Sequence, residues 1–232
     1  NDANAYSLKT TNDTYSVYAR QQVNHAWFST LDLTHAELKY EDLRNGKPYP
    51  ASSFTSSYLN GKQNAIRWGN VYEISKAHKV SFGLDSLKDD YDTSGDNGYV
   101  INRRTKGYYS GLTSVLDDLT LQANVRRDEI DIDYTAYGSL STANIGATST
   151  LLGAGYQLNS TWKLTGTTST GFRAPTAYDI STNALVKQEE FKSQEAGVVY
   201  SNDNTYARLV YFKTTTQSAI GYDSNDVAMN IG

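Results

Sequence analysis

The chain has 232 residues, a formal net charge of −4 and no cysteine. One domain with a sizeable core is the default for that length, mixed charge leaves no basic footprint for nucleic acid, and the missing thiols exclude disulfides and thiolate metal sites. No run of about 18 apolar residues is present and the first residues lack the layout of a signal peptide, so a transmembrane helix is not expected.

Thr14 to Val23 alternates, with Val17 and Ala19 opposed to Ser16, Tyr18 and Arg20, and after a corner at Asn24-His25 the chain returns through Trp27, Leu31 and Leu33. This predicts a hairpin. Glu41 to Lys62 holds Asn45-Gly46, two prolines and a serine cluster, which predicts a long loop. Ile66, Trp68, Tyr72 and Ile74 share a face, Ser75 to His78 is a corner, and Val80, Phe82 and Leu84 begin the return. Asp85 to Gly98, rich in aspartate, is expected to be a second long loop.

Tyr108 to Val115 reaches the corner Asp117-Asp118, and Leu119, Leu121, Ala123 and Val125 then alternate with Thr120, Gln122, Asn124 and Arg126. Past Arg127 the apolar parity switches to Ile130, Ile132 and Tyr134, which marks either a bulge or the point where the strand leaves its apolar surroundings. A loop is expected near Gly138 to Asn144. Leu152 to Leu158 runs down to Asn159-Ser160, and Trp162 and Leu164 run back up. Ala196, Val198 and Tyr200 meet the corner Asn202 to Asn204, and Tyr206 to Phe212 climbs again.

Short corners thus alternate with segments that read as long loops, the asymmetry of an outer-membrane barrel, with short turns on the periplasmic side. Trp27, Phe28, Tyr72, Tyr156, Trp162, Tyr200 and Tyr206 lie near the corners and predict an aromatic girdle at a bilayer surface. A mean hydropathy of −0.57 fits this as well as a soluble protein, because barrel strands average apolar and polar faces. With 19 Tyr against 3 Pro and 1 Met, the composition favours β. The expected fold is all-β: ten to eleven antiparallel up-and-down strands of a transmembrane β-barrel. A soluble β-sandwich binding a partner through its loops is the alternative.

The stretch Gly171-Phe172-Arg173-Ala174-Pro175, then Asn183-Ala184-Leu185, then Glu190 to Gly197 with Glu195, resembles the late-barrel signature of TonB-dependent outer-membrane transporters, with the corner proline of that family replaced by Ala184. Arg208 to Phe212, Ile220-Gly221-Tyr222-Asp223 and Asn230-Ile231-Gly232 are similar to the segment beyond that signature in the cobalamin branch. The resemblance implies one interior barrel segment over 1–232, with the family's N-terminal plug and closing strands absent. It implies an outer-membrane receptor that takes up a cobalamin-like corrinoid, or a siderophore or other iron complex, with energy from TonB reached through the plug, and a barrel surface in contact with membrane lipid. Haem receptors of the family carry a histidine between the two signature stretches, and Thr176 to Thr182 has none.

Tyr91, Asn97, Tyr99 and Arg103, with Arg173, Tyr178, Asp179 and Asn183, are the candidates for contact with a large polar ligand, since loops on a rigid scaffold commonly carry binding. Asp89, Asp90, Asp92 and Asp96, beside Asp85, could hold a structural calcium, although the spacing is not that of an EF-hand and a solvated acidic loop is the stronger reading. No other cofactor is expected. His25, His35 and His78 have no partner at metal spacing. There is no G-x-S-x-G elbow or Walker loop, so enzymatic function is not expected. An outer-membrane hydrolase would require a serine and a histidine brought together in space.

Overall fold

The computed structural model describes residues 6–48, 58–94 and 98–232. Along the chain run β1 (Tyr6–Asn24), β2 (Trp27–Arg44), β3 (Lys47–Pro48), β4 (Tyr58–Glu73), β5 (His78–Thr93), β6 (Tyr99–Leu116), β7 (Leu119–Ala136), β8 (Ser139–Gln157), β9 (Trp162–Arg173), α1 (Ala177–Thr182), β10 (Glu189–Ser201), β11 (Tyr206–Gln217), β12 (Ala219–Tyr222) and β13 (Ala228–Ile231). The long strands pair antiparallel in chain order into one 11-stranded sheet, with β3 beside β2 and with β1 and β11 at its edges, while β12 and β13 form a separate hairpin. A sandwich needs two sheets packed face to face. The long strands instead form a single layer, and up-and-down pairing is what strands joined by short turns produce.

Period two and the cross-strand register assign the two faces. The row Leu33, Ile66, Ser86, Lys106, Glu129 and Gly146 lies on one face, and Thr34, Ala65, Leu87, Thr105, Ile130 and Ile145 lie on the other. The first face carries an apolar belt: Leu31 and Leu33 on β2, Ile66 and Trp68 on β4, Val80 to Leu84 on β5, Leu112 on β6, Leu121 to Val125 on β7, and Leu152 and Ala154 on β8. These are surface residues, Ile66 at 47% and Leu152 at 57% exposure. On β6 the belt runs from Leu116 to Tyr108, about 26 Å of strand, or about 20 Å once tilted by roughly 40°, close to the apolar band of about 25 Å of outer-membrane barrels. Five of the seven expected girdle aromatics, Trp27, Tyr72, Tyr156, Trp162 and Tyr200, face outward at its lower edge, and the rings of Trp162 and Tyr200 lie 4.9 Å apart. Phe28 and Tyr206 face the other way, because they occupy the opposite parity.

Three expected loops are strand over much of their described length. β2 continues to Arg44 and turns at Asn45-Gly46 (φ 52° and 74°), with residues 49–57 outside the described part. β5 continues to Thr93 through the acidic stretch. β8 begins at Ser139, directly after the two-residue turn Tyr137-Gly138 (φ 51° and 73°), the positive-φ pair that a type I′ hairpin demands. At the upper end the strands therefore run well past the belt. Above it, Lys62, Lys88, Lys106, Arg127 and Glu129 face outward, where lipid would be prohibitive and water is not.

The parity switch past Arg127 is this same boundary and not a bulge, since the β6–β7 and β7–β8 registers run unbroken through it. Above the belt the inner face becomes apolar. Ile130, Ile132 and Ile145 are buried there with Ile180, Val186 and Ala228, and Tyr134, Phe172, Ala174 and Ile220 pack around them. This small core lies where the β9–β10 connection and the β12–β13 hairpin dock on the sheet.

Candidate functional site

The β9–β10 connection is held by named bonds. Thr176 caps α1 and forms a capping box: Asp179 N–H donates to Thr176 Oγ1 at 3.2 Å and Thr176 N–H donates to Asp179 Oδ2 at 2.7 Å. Tyr222 on β12 donates its hydroxyl to the other oxygen of Asp179. Asn183 donates to the carbonyl of Ala228 at 2.8 Å, and Asn230 accepts from Lys187 N–H at 2.8 Å while donating to the Lys187 carbonyl at 2.9 Å. Glu189 takes a two-pronged bond from Arg173 (2.7 and 2.9 Å) and the N–H of Ile220 (2.7 Å). The connection and the hairpin thus form one cap. Both acids lie above the belt. The Arg173 guanidinium and the Ile220 N–H hold Glu189 down at about 2. For Asp179 burial pushes upward, but bonds from Tyr222 and Thr176 with the charge of Arg173 outweigh it and leave the carboxyl below its ordinary range.

Beside the cap, the upper inner wall is lined with tyrosine. Tyr91 on β5, Tyr99 on β6 and Tyr134 on β7 share the inward parity and flank Ile101. The rings of Tyr99 and Tyr134 are 5.9 Å apart, and α1 brings Tyr178 to 5.9 Å from Tyr222. Tyr178 also lies within electrostatic reach of Tyr134. Gly61 makes room for Tyr91: a Cβ there would stand 2.9 Å from the ring. Below the tyrosines on β6 come Arg103 and Thr105, and then Gly107, over whose bare backbone Arg126 reaches to Asp85 (2.7 Å) and Asp128 (2.6 Å).

Of the sequence candidates, Tyr91, Tyr99, Arg103 and Tyr178 are brought onto this one inward surface, the first three on strands and not in a loop. Arg173, Asp179 and Asn183 are bonded within the cap, and Asp179 is only 1% exposed. Asn97 and Asp96 lie outside the described residues. The acidic stretch belongs to β5, so its side chains alternate: Asp85 and Asp89 face inward while Asp90 and Asp92 face outward, with Asp90 paired to Lys88 at 2.7 Å. Among the described residues no three potential ligands converge on a metal. Tyr134 and Tyr222 were missed. Tyr134 was legible from the parity it shares with Ile130 and Ile132, whereas nothing local marks Tyr222 as a neighbour of α1.

His78 Nδ1 and Ser114 Oγ approach to 2.9 Å at the lower edge of the outer face, the one serine–histidine pair among the described residues. Ser114 is 7% exposed, and among the described residues no carboxylate or amide bonds the other nitrogen of His78. A hydrolase needs an accessible nucleophile and an oriented base, and this pair supplies neither.

Residues 1–232 match the family model described as TonB dependent receptor-like, beta-barrel. The chain is 27% identical over 206 residues, 80% of its length and 32% of the relative, to the vitamin B12 transporter BtuB of Vibrio vulnificus strain CMCP6. In fold it is similar to the alcaligin outer-membrane receptor FauA of Bordetella pertussis (TM-score 0.78, 14% identity, 97% of this chain and 41% of that one). It is similar also to the FrpB iron transporter of Neisseria meningitidis (TM-score 0.77, 14% identity, 96% and 39%). The chain spans about a third of the curated relative and about two-fifths of each of these structures.

Proposed function

We propose, since this chain belongs to the TonB-dependent receptor-like β-barrel family of the outer membrane, that it forms the wall and part of the mouth of a receptor that captures a large, ring-bearing nutrient and imports it with energy supplied by TonB. The observation that carries this is the inward tyrosine surface of Tyr91, Tyr99, Tyr134 and Tyr178, set just beyond the apolar belt and fenced by the cap. Tyrosine offers a broad apolar ring and a polar tip on few rotors, which suits capture of an amphipathic macrocycle. A cobalamin-like corrinoid is the ligand this favours, and the vitamin B12 transporter among the relatives supports it. An iron–siderophore complex is the second reading, supported by the FrpB iron transporter among the fold neighbours. Coupling to TonB would pass through a plug domain lying outside this chain.

The test is equilibrium binding of cyanocobalamin to the full-length receptor in detergent. Saturable binding that weakens at least tenfold in a Tyr134→Ala, Tyr178→Ala double variant of unchanged thermal stability supports the corrinoid reading. Binding of a ferric catecholate or hydroxamate in place of cyanocobalamin transfers the assignment to the iron complex, and equal binding by the double variant rules out the tyrosine surface as the capture site.

A further inference from the structure

Immediately below the tyrosines, a cleft of about 470 Å³ opens between the inner wall of β6–β7 and the segment Phe172 to Thr176. Arg103 and Thr105 line it from β6. Arg103 Nε and Thr105 Oγ1 are both shielded from solvent, and neither has a hydrogen-bond partner among the described residues. A shielded donor left unsatisfied is destabilising, the more so when charged, so two in one cleft call for an acceptor. The neighbouring acids are already engaged. Asp89, opposite Arg103 in the register, accepts from Gln63 Nε2 at 2.8 Å. Asp128 receives Arg126 through Nε at 2.9 Å to each oxygen. Arg173, on the far side of the cleft, is bonded to Glu189. Among the residues lining the cleft, Arg103 alone presents a cationic donor without a hydrogen bond or ion pair, beside a hydroxyl in the same condition. The cleft volume lies within the range of small-molecule sites.

We propose that this cleft is an oxyanion subsite, in which Arg103 and Thr105 receive a phosphate or carboxylate. A planar guanidinium beside a hydroxyl donor is the usual pairing for such groups. The receptor reading enters only in the source of the anion: a ligand whose rings rest on the tyrosines would carry the acidic group one step further down the wall.

The probe is inorganic phosphate, followed by phosphorus NMR line broadening with the full-length receptor in detergent, with citrate as a carboxylate competitor. Saturable broadening is expected that citrate displaces, that falls at least tenfold in Arg103→Ala and several-fold in Thr105→Val, and that Arg103→Lys partly restores. Arg208→Ala, another inward-facing arginine on β11 away from the cleft, should leave it unchanged. A retained heat-induced gel shift establishes that each variant is folded. No saturable broadening in the parent receptor, or equal broadening in Arg103→Ala, overturns the subsite. If phosphate binds at Arg103 while cyanocobalamin and ferric complexes do not bind, the ligand reading falls and the subsite stands. If a ligand binds while phosphate does not, the reverse holds.

Discussion

Replacing Ala123 by arginine puts a cation into the middle of the apolar belt. Ala123 faces outward between Leu121 and Val125 on its own strand, with Leu112 and Leu152 directly across on β6 and β8. An arginine side chain snorkelling from there meets apolar residues on every side, and the measured cost of such a charge near the bilayer midplane is about 2–4 kcal/mol. Gln122, one residue earlier, faces inward opposite Thr113 and Gly153, where a cation stays hydrated. Surface changes of that kind stay within about 0.5 kcal/mol. At about 3 kcal/mol the folding equilibrium of Ala123→Arg should fall roughly 150-fold, and that of Gln122→Arg should barely move. The assay is refolding of the full-length receptor into lipid vesicles across a urea series, read by the heat-induced gel shift. Equal losses for the two variants, or a larger loss for Gln122→Arg, would refute the face assignment.

Ile180 is 1% exposed in the cap core, so Ile180→Ala should cost about 2–5 kcal/mol and raise hydrogen exchange across 174–188 while β4 to β8 stay protected. Glu189 and Asp179 are both held below their ordinary values, so their contribution to cap docking is complete above the unfolded carboxylate range and is lost as pH falls through the folded values. Limited proteolysis by pepsin should therefore spare the cap region at pH 5 and cut it increasingly towards pH 2, with Glu189→Gln cut already at the higher pH. At Gly83 an added Cβ would stand 2.3 Å from the backbone oxygen of Trp68, whereas at Gly153 the nearest atom is 3.6 Å away. Gly83→Ala should thus lower stability by about 1–3 kcal/mol, with Gly153→Ala near neutral in the same urea series.

The inward tyrosine surface was half legible. Tyr91, Tyr99, Arg103 and Tyr178 stand out in the sequence as polar or aromatic residues of expected loops, and they do share one surface, but for three of them the reason is strand parity. Asp179 and Asn183 carry the composition of ligand contacts. Their side chains are instead committed to Tyr222 and to the Ala228 carbonyl, residues more than forty positions further along the chain.

What the sequence determined by itself was the presence of the strands and the face each residue takes, because period two is a local property: Leu121, Ala123 and Val125 must leave one side of β7 whatever surrounds it. Only the tertiary structure decided where the strands end. Inside the belt, lipid requires one apolar face and the alternation is clean. Above it water wets the outer face, so polar stretches such as Asp85 to Thr93 and Ser139 to Asn144 carry the signature of loops while their backbones complete the ladder. Ile130 and Ile132 show the converse. Their inward apolarity has no cause on β7 itself, and it is explained by Ile180, Val186 and Ala228, which the fold returns from about fifty and a hundred residues away to cover them.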